Sequence, residues 1–156
     1  MHIVEGGLDD PQVIALLQTH LIRARAETAR GSAHALDVSG LKAPDVTFWS
    51  VWDEEILVGI GALRRLSADH GEIKSMHIAE VARGCGIGRA LLQHILTNAR
   101  VTGLSRVSLE TGAWPYFEPA RRLYARYGFV ECPPFGEYRS DPNSVFMTLS
   151  PLDSNP

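Results

Sequence analysis

The octapeptide Arg83-Gly84-Cys85-Gly86-Ile87-Gly88-Arg89-Ala90 constrains this chain most, because it stands between a strand-like run at 73–78 and a helix-like run at 87–100. Three glycines at alternate positions remove the side chains that would hold a ligand off the backbone, just where a helix begins. The first helical amides have no intrahelical acceptor, and the helix dipole contributes about 0.3–1 kcal/mol per negative charge. Arg83 and Arg89 add full positive charges. A phosphate or pyrophosphate suits this loop. Spacing excludes the two common versions: a Walker loop ends in Gly-Lys-Ser/Thr, whereas Gly88 precedes Arg89 and Ala90, and for GxGxxG the third glycine comes one residue early. Taken alone, the octapeptide also reads as an ordinary glycine-rich turn.

The chain around the loop alternates between strand and helix signals. His2–Glu5 reads as a first strand, and Asp9-Asp10-Pro11 supplies N-cap candidates and a proline at the start of a helix. Ile14, Leu17 and Leu21 form its apolar stripe. Residues 31–44 read as a helix-loop connection, in which Ser32 caps a short helix through Leu36 while Gly40 and Pro44 break any longer one. Residues 47–52 and 56–63, rich in β-branched and aromatic side chains, form a hairpin across Asp53-Glu54-Glu55. Asp69-His70-Gly71 makes the next turn, and residues 72–78 the strand that enters the loop. After it, Ile87, Leu91, Leu92, Ile95, Leu96 and Ala99 mark a helix with one broad buried face, stopped by Gly103. A strand at 105–110 then completes a βαβ unit with parallel strands. A helix starting between Pro115 and Pro119 ends at Gly128, Phe129-Val130 resumes a strand, Pro133-Pro134 forces an extended turn, and Ser144–Leu149 closes the sheet. The polar residues from Pro151 on read as a frayed tail.

Composition narrows the class. With 156 residues, 45% of them hydrophobic, the chain reads as one domain through residue 150, with a tail at 151–156. A net charge of −3 and a pI near 6.0 argue against a nucleic-acid partner. No apolar run approaches about 18 residues and the N-terminus lacks a signal-peptide pattern, so no membrane partner and a cytoplasmic location are expected. Cys85 and Cys132 form neither a disulfide framework nor a CxxC pair, and the six histidines show no metal-ligand spacing; free thiols and no metal are expected.

Arg83, Gly86 and Gly88 match the Q/R-x-x-G-x-G/A signature, and the chain resembles the GNAT superfamily of N-acetyltransferases, in which this loop binds the pyrophosphate of acetyl-coenzyme A. Two more segments carry the resemblance, which covers residues 46–149. Ala120 with Leu123-Tyr124-Ala125-Arg126-Tyr127-Gly128-Phe129 is similar to the family's A-x-x-L-Y-x-x-x-G-F end, and Glu72-Ile-Lys-Ser-Met-His-Ile78 to the strand before its loop. Glu110-Thr111-Gly112, Pro134-Phe135, Tyr138, Asp141-Pro142 and Ser144-Val-Phe-Met147 further resemble a bacterial subgroup of small acetyltransferases with mostly undefined substrates. Two positions depart from the pattern: Glu80 stands where a proline is frequent, and Phe117 where an asparagine contacts the coenzyme.

The resemblance implies an α/β fold: a single mixed, mostly antiparallel twisted sheet of six to seven strands, with a central splayed parallel pair and helices on both faces. It implies a coenzyme site made of Met76, Ile78, Arg83, Gly84, Cys85, Gly86, Ile87, Gly88, Arg89, Phe117 and Tyr124. Cys85 would offer its amide rather than its thiol, since direct transfer needs no acyl-enzyme. A bulged strand near Met76 would aim a backbone amide at the thioester carbonyl. Tyr124 would protonate the departing thiolate; on its own, a helical tyrosine also reads as a core aromatic with a wet hydroxyl. Glu72 matches the place of a glutamate base, to act through water, and reads equally as a solvated strand-end carboxylate. The implied activity is acetyl transfer from acetyl-coenzyme A to a small-molecule primary amine. The alternatives are a protein lysine or N-terminus as acceptor, or a non-catalytic acyl-coenzyme A sensor. His20, Arg23, Arg25, Arg30 and His34 give the roof of the acceptor site a basic bias that would meet a carboxylate, or form a solvated helix face. A homodimer stays open.

Overall fold

The computed structural model describes residues 1–28 and 36–152. The elements are β1 (His2–Glu5), α1 (Pro11–Ala26), α2 (Val38–Leu41), β2 (Val46–Asp53), β3 (Ile56–Arg65), β4 (His70–Ile78), α3 (Ile87–Val101), β5 (Arg106–Gly112), α4 (Glu118–Arg126), β6 (Val130–Glu131) and β7 (Ser144–Leu149). Short 3₁₀ turns at Glu80–Ala82 and Pro115–Phe117 lead into the glycine loop and into α4. Seven strands form one sheet in the order β1-β2-β3-β4-β5-β7-β6. Every pair is antiparallel except β4-β5.

The two faces of the sheet carry separate cores. On one, Leu91, Leu92, Ile95 and Ala99 of α3 are fully buried against Trp49, Val51, Val107 and Leu109. Each large aliphatic side chain sealed in this way contributes about 1.5–3 kcal/mol. Close approach of α3 depends on Gly61, where a Cβ would lie 3.1 Å from Leu91 Cδ2 and 3.2 Å from Ile95 Cδ1. On the other face, Val13 and Leu17 of α1 and Leu41 of α2 cover Phe48, Leu57, Ile60 and Ala62.

Several local expectations are corrected. The buried stripe of α1 runs through Val13 and Leu17, while Ile14 and Leu21 are only partly covered. Leu17 belongs to both possible stripes, and docking on the sheet selects between them. Gly40 lies inside α2 instead of breaking a helix, its N–H donating to Asp37 Oδ1 at 2.9 Å. The short helix expected from Ser32 falls outside the described residues except for Leu36. His70 and Gly71 belong to β4, the turn being closed earlier by Leu66 N–H to His70 O at 2.8 Å. Gly71 is confined there by packing, since a Cβ would come 2.6 Å from Leu104 Cδ1. The start of the tail is docked, not frayed: Leu152 is buried and donates its N–H to Ser105 O at 2.8 Å.

Two irregularities in β4 position the site. Its register with β5 covers only His70 to Ile73 against Arg106 to Leu109, after which both strands continue without registered pairs among the described residues. The parallel pair therefore opens like a V. Against β3, Ala62 faces Lys74 and Ile60 faces His77, so Ser75 and Met76 together oppose Gly61 alone. This is a β-bulge, and it is tightened by a left-handed Ser75 at φ 54°.

Candidate active site

The glycine loop leaves β4 through the 3₁₀ turn and enters α3 at Gly86, which is left-handed at φ 79°. Gly84 shares that conformation at φ 81°, and a Cβ at either position would meet nothing within 4 Å. The glycines thus make a curved backbone surface open to a ligand. No side chain caps the N-terminus of α3, so its first amides face that space. They border a cleft of about 510 Å³ lined by Arg23, Arg83, Arg89 and Arg126 and, among the described residues, by no aspartate or glutamate. Arg83 spans part of the cleft: its Nε donates to Ile78 O at 3.3 Å, and its Nη2 to the Tyr116 hydroxyl at 3.3 Å. An uncapped helix end with four guanidinium groups and no carboxylate suits a polyanion, as the pyrophosphate of a coenzyme would be.

The cleft runs from the glycine loop past Ile78 and Met76 of β4 to Tyr124. That side chain, on α4, is buried and packs its ring on Phe129 at a centroid separation of 5.7 Å. Burial pushes its hydroxyl up to about 12, so it stays protonated at neutral pH. The Phe117 ring lies directly over Gly112, where any Cβ would overlap it, and it borders the cleft. It therefore packs on β5.

Beyond Tyr124 lies a smaller cavity of about 120 Å³. Glu72, Lys74, Glu110 and Tyr138 face it, with the hydroxyls of Thr28 and Ser75, which are buried and have no hydrogen-bond partner among the described residues. The Tyr138 hydroxyl donates to Glu72 Oε2 at 2.6 Å and accepts from Lys74 Nζ at 2.9 Å. Glu72 is thus not a solvated strand-end carboxylate; it is sealed within the sheet and paired. Burial, followed by the Glu72 carboxylate, holds the Tyr138 phenol protonated.

The structure brings together Met76, Ile78, Arg83, Gly84, Gly86, Ile87, Gly88, Arg89, Phe117 and Tyr124 around the larger cleft, and sets Glu72 on the smaller one. The Cys85 thiol is exposed and turned toward Arg83 O at 3.8 Å, outside the lining, and both cysteines are free. The basic bias expected from α1 is corrected in part. His20 is pushed down to about 3 by burial and then by His77 and Lys74, so it carries no charge at neutral pH, and Arg23 faces the larger cleft. Arg30 and His34 lie outside the described residues. Sequence reasoning missed His77, Lys74, Tyr138 and the role of His20 as a lining residue of both cavities. A local signal existed for His77 and Lys74, which flank the quoted Ser75-Met76; none linked them to His20 or Tyr138. Among the described residues no group of three His, Cys, Asp or Glu is placed to hold a metal ion, and no helix is long and apolar enough to cross a membrane.

Comparison with known proteins agrees with this geometry. The family model described as Acetyltransferase (GNAT) family matches residues 15–129. The uncharacterized N-acetyltransferase YsnE of Bacillus subtilis is 45% identical, covering 95% of this chain and 98% of its own. An IAA acetyltransferase of Azospirillum brasilense is 41% identical, covering 74% of this chain and 75% of its own. Among solved structures, a Klebsiella pneumoniae protein provisionally described as an acyl-CoA N-acyltransferase superposes with a TM-score of 0.78 at 29% identity, covering 97% of each chain.

Proposed function

The chain belongs to the acetyltransferase (GNAT) family and is an acyl-coenzyme A-dependent N-acyltransferase; from that premise we propose that it moves an acetyl group from acetyl-coenzyme A directly to a primary amine of a small molecule. One observation carries this reading: an arginine-lined cleft, with no aspartate or glutamate among the described residues, meets a small polar cavity at a buried, protonated tyrosine. Acetyl-coenzyme A would supply the acyl group on a thiol leaving group. The α3 amides, Arg83 and Arg89 hold its pyrophosphate, and the bulge presents backbone amide near Met76 as a donor to the thioester carbonyl. Tyr124 gives its phenolic proton to the departing sulfur.

The size of the smaller cavity supports a small acceptor. At about 120 Å³ and lined by Glu72, Lys74, Glu110 and Tyr138, it suits the amine end of a small polar acceptor. The named activity of the Azospirillum relative is in keeping with a small molecule. Cytoplasmic residence and a single domain over residues 1–150 are parts of the same proposal. The test is release of coenzyme A over a panel of amines, amino acids and lysine peptides. Turnover with short amines is the expected result. Firm acetyl-coenzyme A binding with no turnover on any acceptor would favour a sensor, and turnover confined to peptides would move the acceptor to proteins.

A further inference from the structure

His20, Ala24, Met76, Phe117, Ala120 and Tyr124 border both the coenzyme cleft and the acceptor cavity, and of these only Tyr124 and His20 titrate. Making an amide from a thioester requires one proton to leave nitrogen and one to reach sulfur, and both events belong where the two cavities meet. Tyr124 is held as a neutral phenol, a donor. His20 is held as a neutral imidazole, with a lone pair to offer. Surroundings that push two titratable groups apart in this way distinguish acid from base.

His20 comes from α1 and His77 from β4, directly after Met76, and their Nδ1 atoms are 3.1 Å apart with the rings edge to face at 5.1 Å. Two Nδ1–H groups would clash at that distance and two bare nitrogens would repel, so one ring donates to the other. The donor ring then has a bare Nε2. His77 is itself pushed down to about 4, by burial and then by Arg83 and Arg23, so the pair is uncharged as a whole at neutral pH. Lys74 adds to the same effect on His20. Glu72, by comparison, borders only the acceptor cavity, and its Oε2 is already engaged by Tyr138 and Lys74.

We infer, resting on the transferase reading above, that His20 accepts the proton lost by the acceptor nitrogen, with His77 as the positioning residue that holds His20 in its Nδ1–H tautomer. A base this weak does not deprotonate a free ammonium near pKa 10. It acts as the C–N bond forms, when nitrogen becomes positive and its proton acidic. The nitrogen pair makes the C–N bond, the C–S pair leaves on sulfur, His20 Nε2 takes the N–H proton and Tyr124 gives its own to sulfur. One proton passing through solvent from imidazolium to phenolate restores both side chains.

Two measurements test this. In long-range ¹H–¹⁵N spectra of the full chain at pH 7, His20 should be neutral and Nδ1-protonated, and His77 neutral and Nε2-protonated. In a His77→Phe variant, His20 should change to the Nε2–H tautomer. With an accepted amine, His20→Asn should lower kcat by on the order of 10²-fold with little change in KM for acetyl-coenzyme A, and added imidazole should restore part of the loss. His20 found cationic or Nε2-protonated in the wild type would overturn the inference. So would wild-type kcat in His20→Asn when chemistry limits turnover, and a loss in Glu72→Gln alone would return the role to Glu72. Absence of turnover by the wild type on any amine would instead overturn the transferase reading, with the spectra still deciding the state of the pair.

Discussion

Glu72 and Lys74, two residues apart on β4, project from the same face of the sheet and hold Oε2 and Nζ 3.4 Å apart, with side chains only 3% and 7% exposed. Tyr138 joins them, reaching from the irregular segment between β6 and β7 to bond with both. The three side chains form one wall of the smaller cavity and fasten that segment to the central strand.

Breaking this pair should cost stability. Removing one partner takes the opposite charge away from a group that stays buried, a penalty of up to about 3–5 kcal/mol. Lys74→Met should therefore lower the urea midpoint sharply, and Glu72→Gln by a similar or smaller amount, since the amide oxygen introduced by that change can still accept from Tyr138. The double variant should recover part of the loss. Single variants within about 0.5 kcal/mol of wild type would show that water, not the partner charge, solvates the pair.

Tyr124→Phe keeps the ring against Phe129 and deletes only the proton donor. Turnover should fall by on the order of 10²-fold or more while acetyl-coenzyme A affinity stays close to wild type. Calorimetric binding beside steady-state rates separates the two effects. Undiminished turnover on a substrate limited by chemistry would assign the sulfur proton to water.

Gly86→Asp places a carboxylate where the α3 amides and Arg83 and Arg89 converge. The new side chain has room, since nothing lies within 4 Å of a Cβ there, so binding should suffer more than folding despite the left-handed backbone. Coenzyme A should no longer raise the melting temperature of the variant. A thermal shift equal to that of wild type would remove the loop from the coenzyme site.

Stability should decline with acid through the histidine pair. His20 and His77, near 6.5 when unfolded, sit at about 3 and 4 when folded, so between those values the unfolded chain binds more protons than the native one. Their contribution is complete well above pH 6.5 and is lost as pH falls, down to about 4 for His77 and about 3 for His20. His70, lowered first by burial, acts in the same direction. Denaturant midpoints at pH 7.5, 6 and 5 should fall progressively in the wild type and less steeply in a His20→Asn, His77→Asn double variant. Equal slopes in both proteins would place the acid sensitivity elsewhere.

How much was legible follows the range of each interaction. The hairpin across Asp53-Glu54-Glu55, the strand at Ser144–Leu149 and the helix behind Gly86 were readable because periodicity, turn residues and capping act within a few positions. The bulge and the splayed strands came from resemblance, since nothing in Lys74-Ser75-Met76-His77 distinguishes a bulge from a regular strand. Glu72 shows the limit plainly: a charged residue reads as solvated unless a partner elsewhere neutralises it, and its hydroxyl partner lies 66 positions away.

The sequence by itself determined the order of the strands and of helices α1, α3 and α4, the glycine-rich turn at the start of α3, and the resemblance that ties the loop and Tyr124 to one chemistry. Only the tertiary structure decided which side chains meet around the two cavities. His20 meets His77 across 57 positions and Lys74 meets Tyr138 across 64, and those distances close only once β4 has paired with β3 and β5 and α1 has docked on the sheet. The same burial then sets the protonation of His20 and Tyr124, because solvent exposure belongs to the folded surface and to no local stretch of chain.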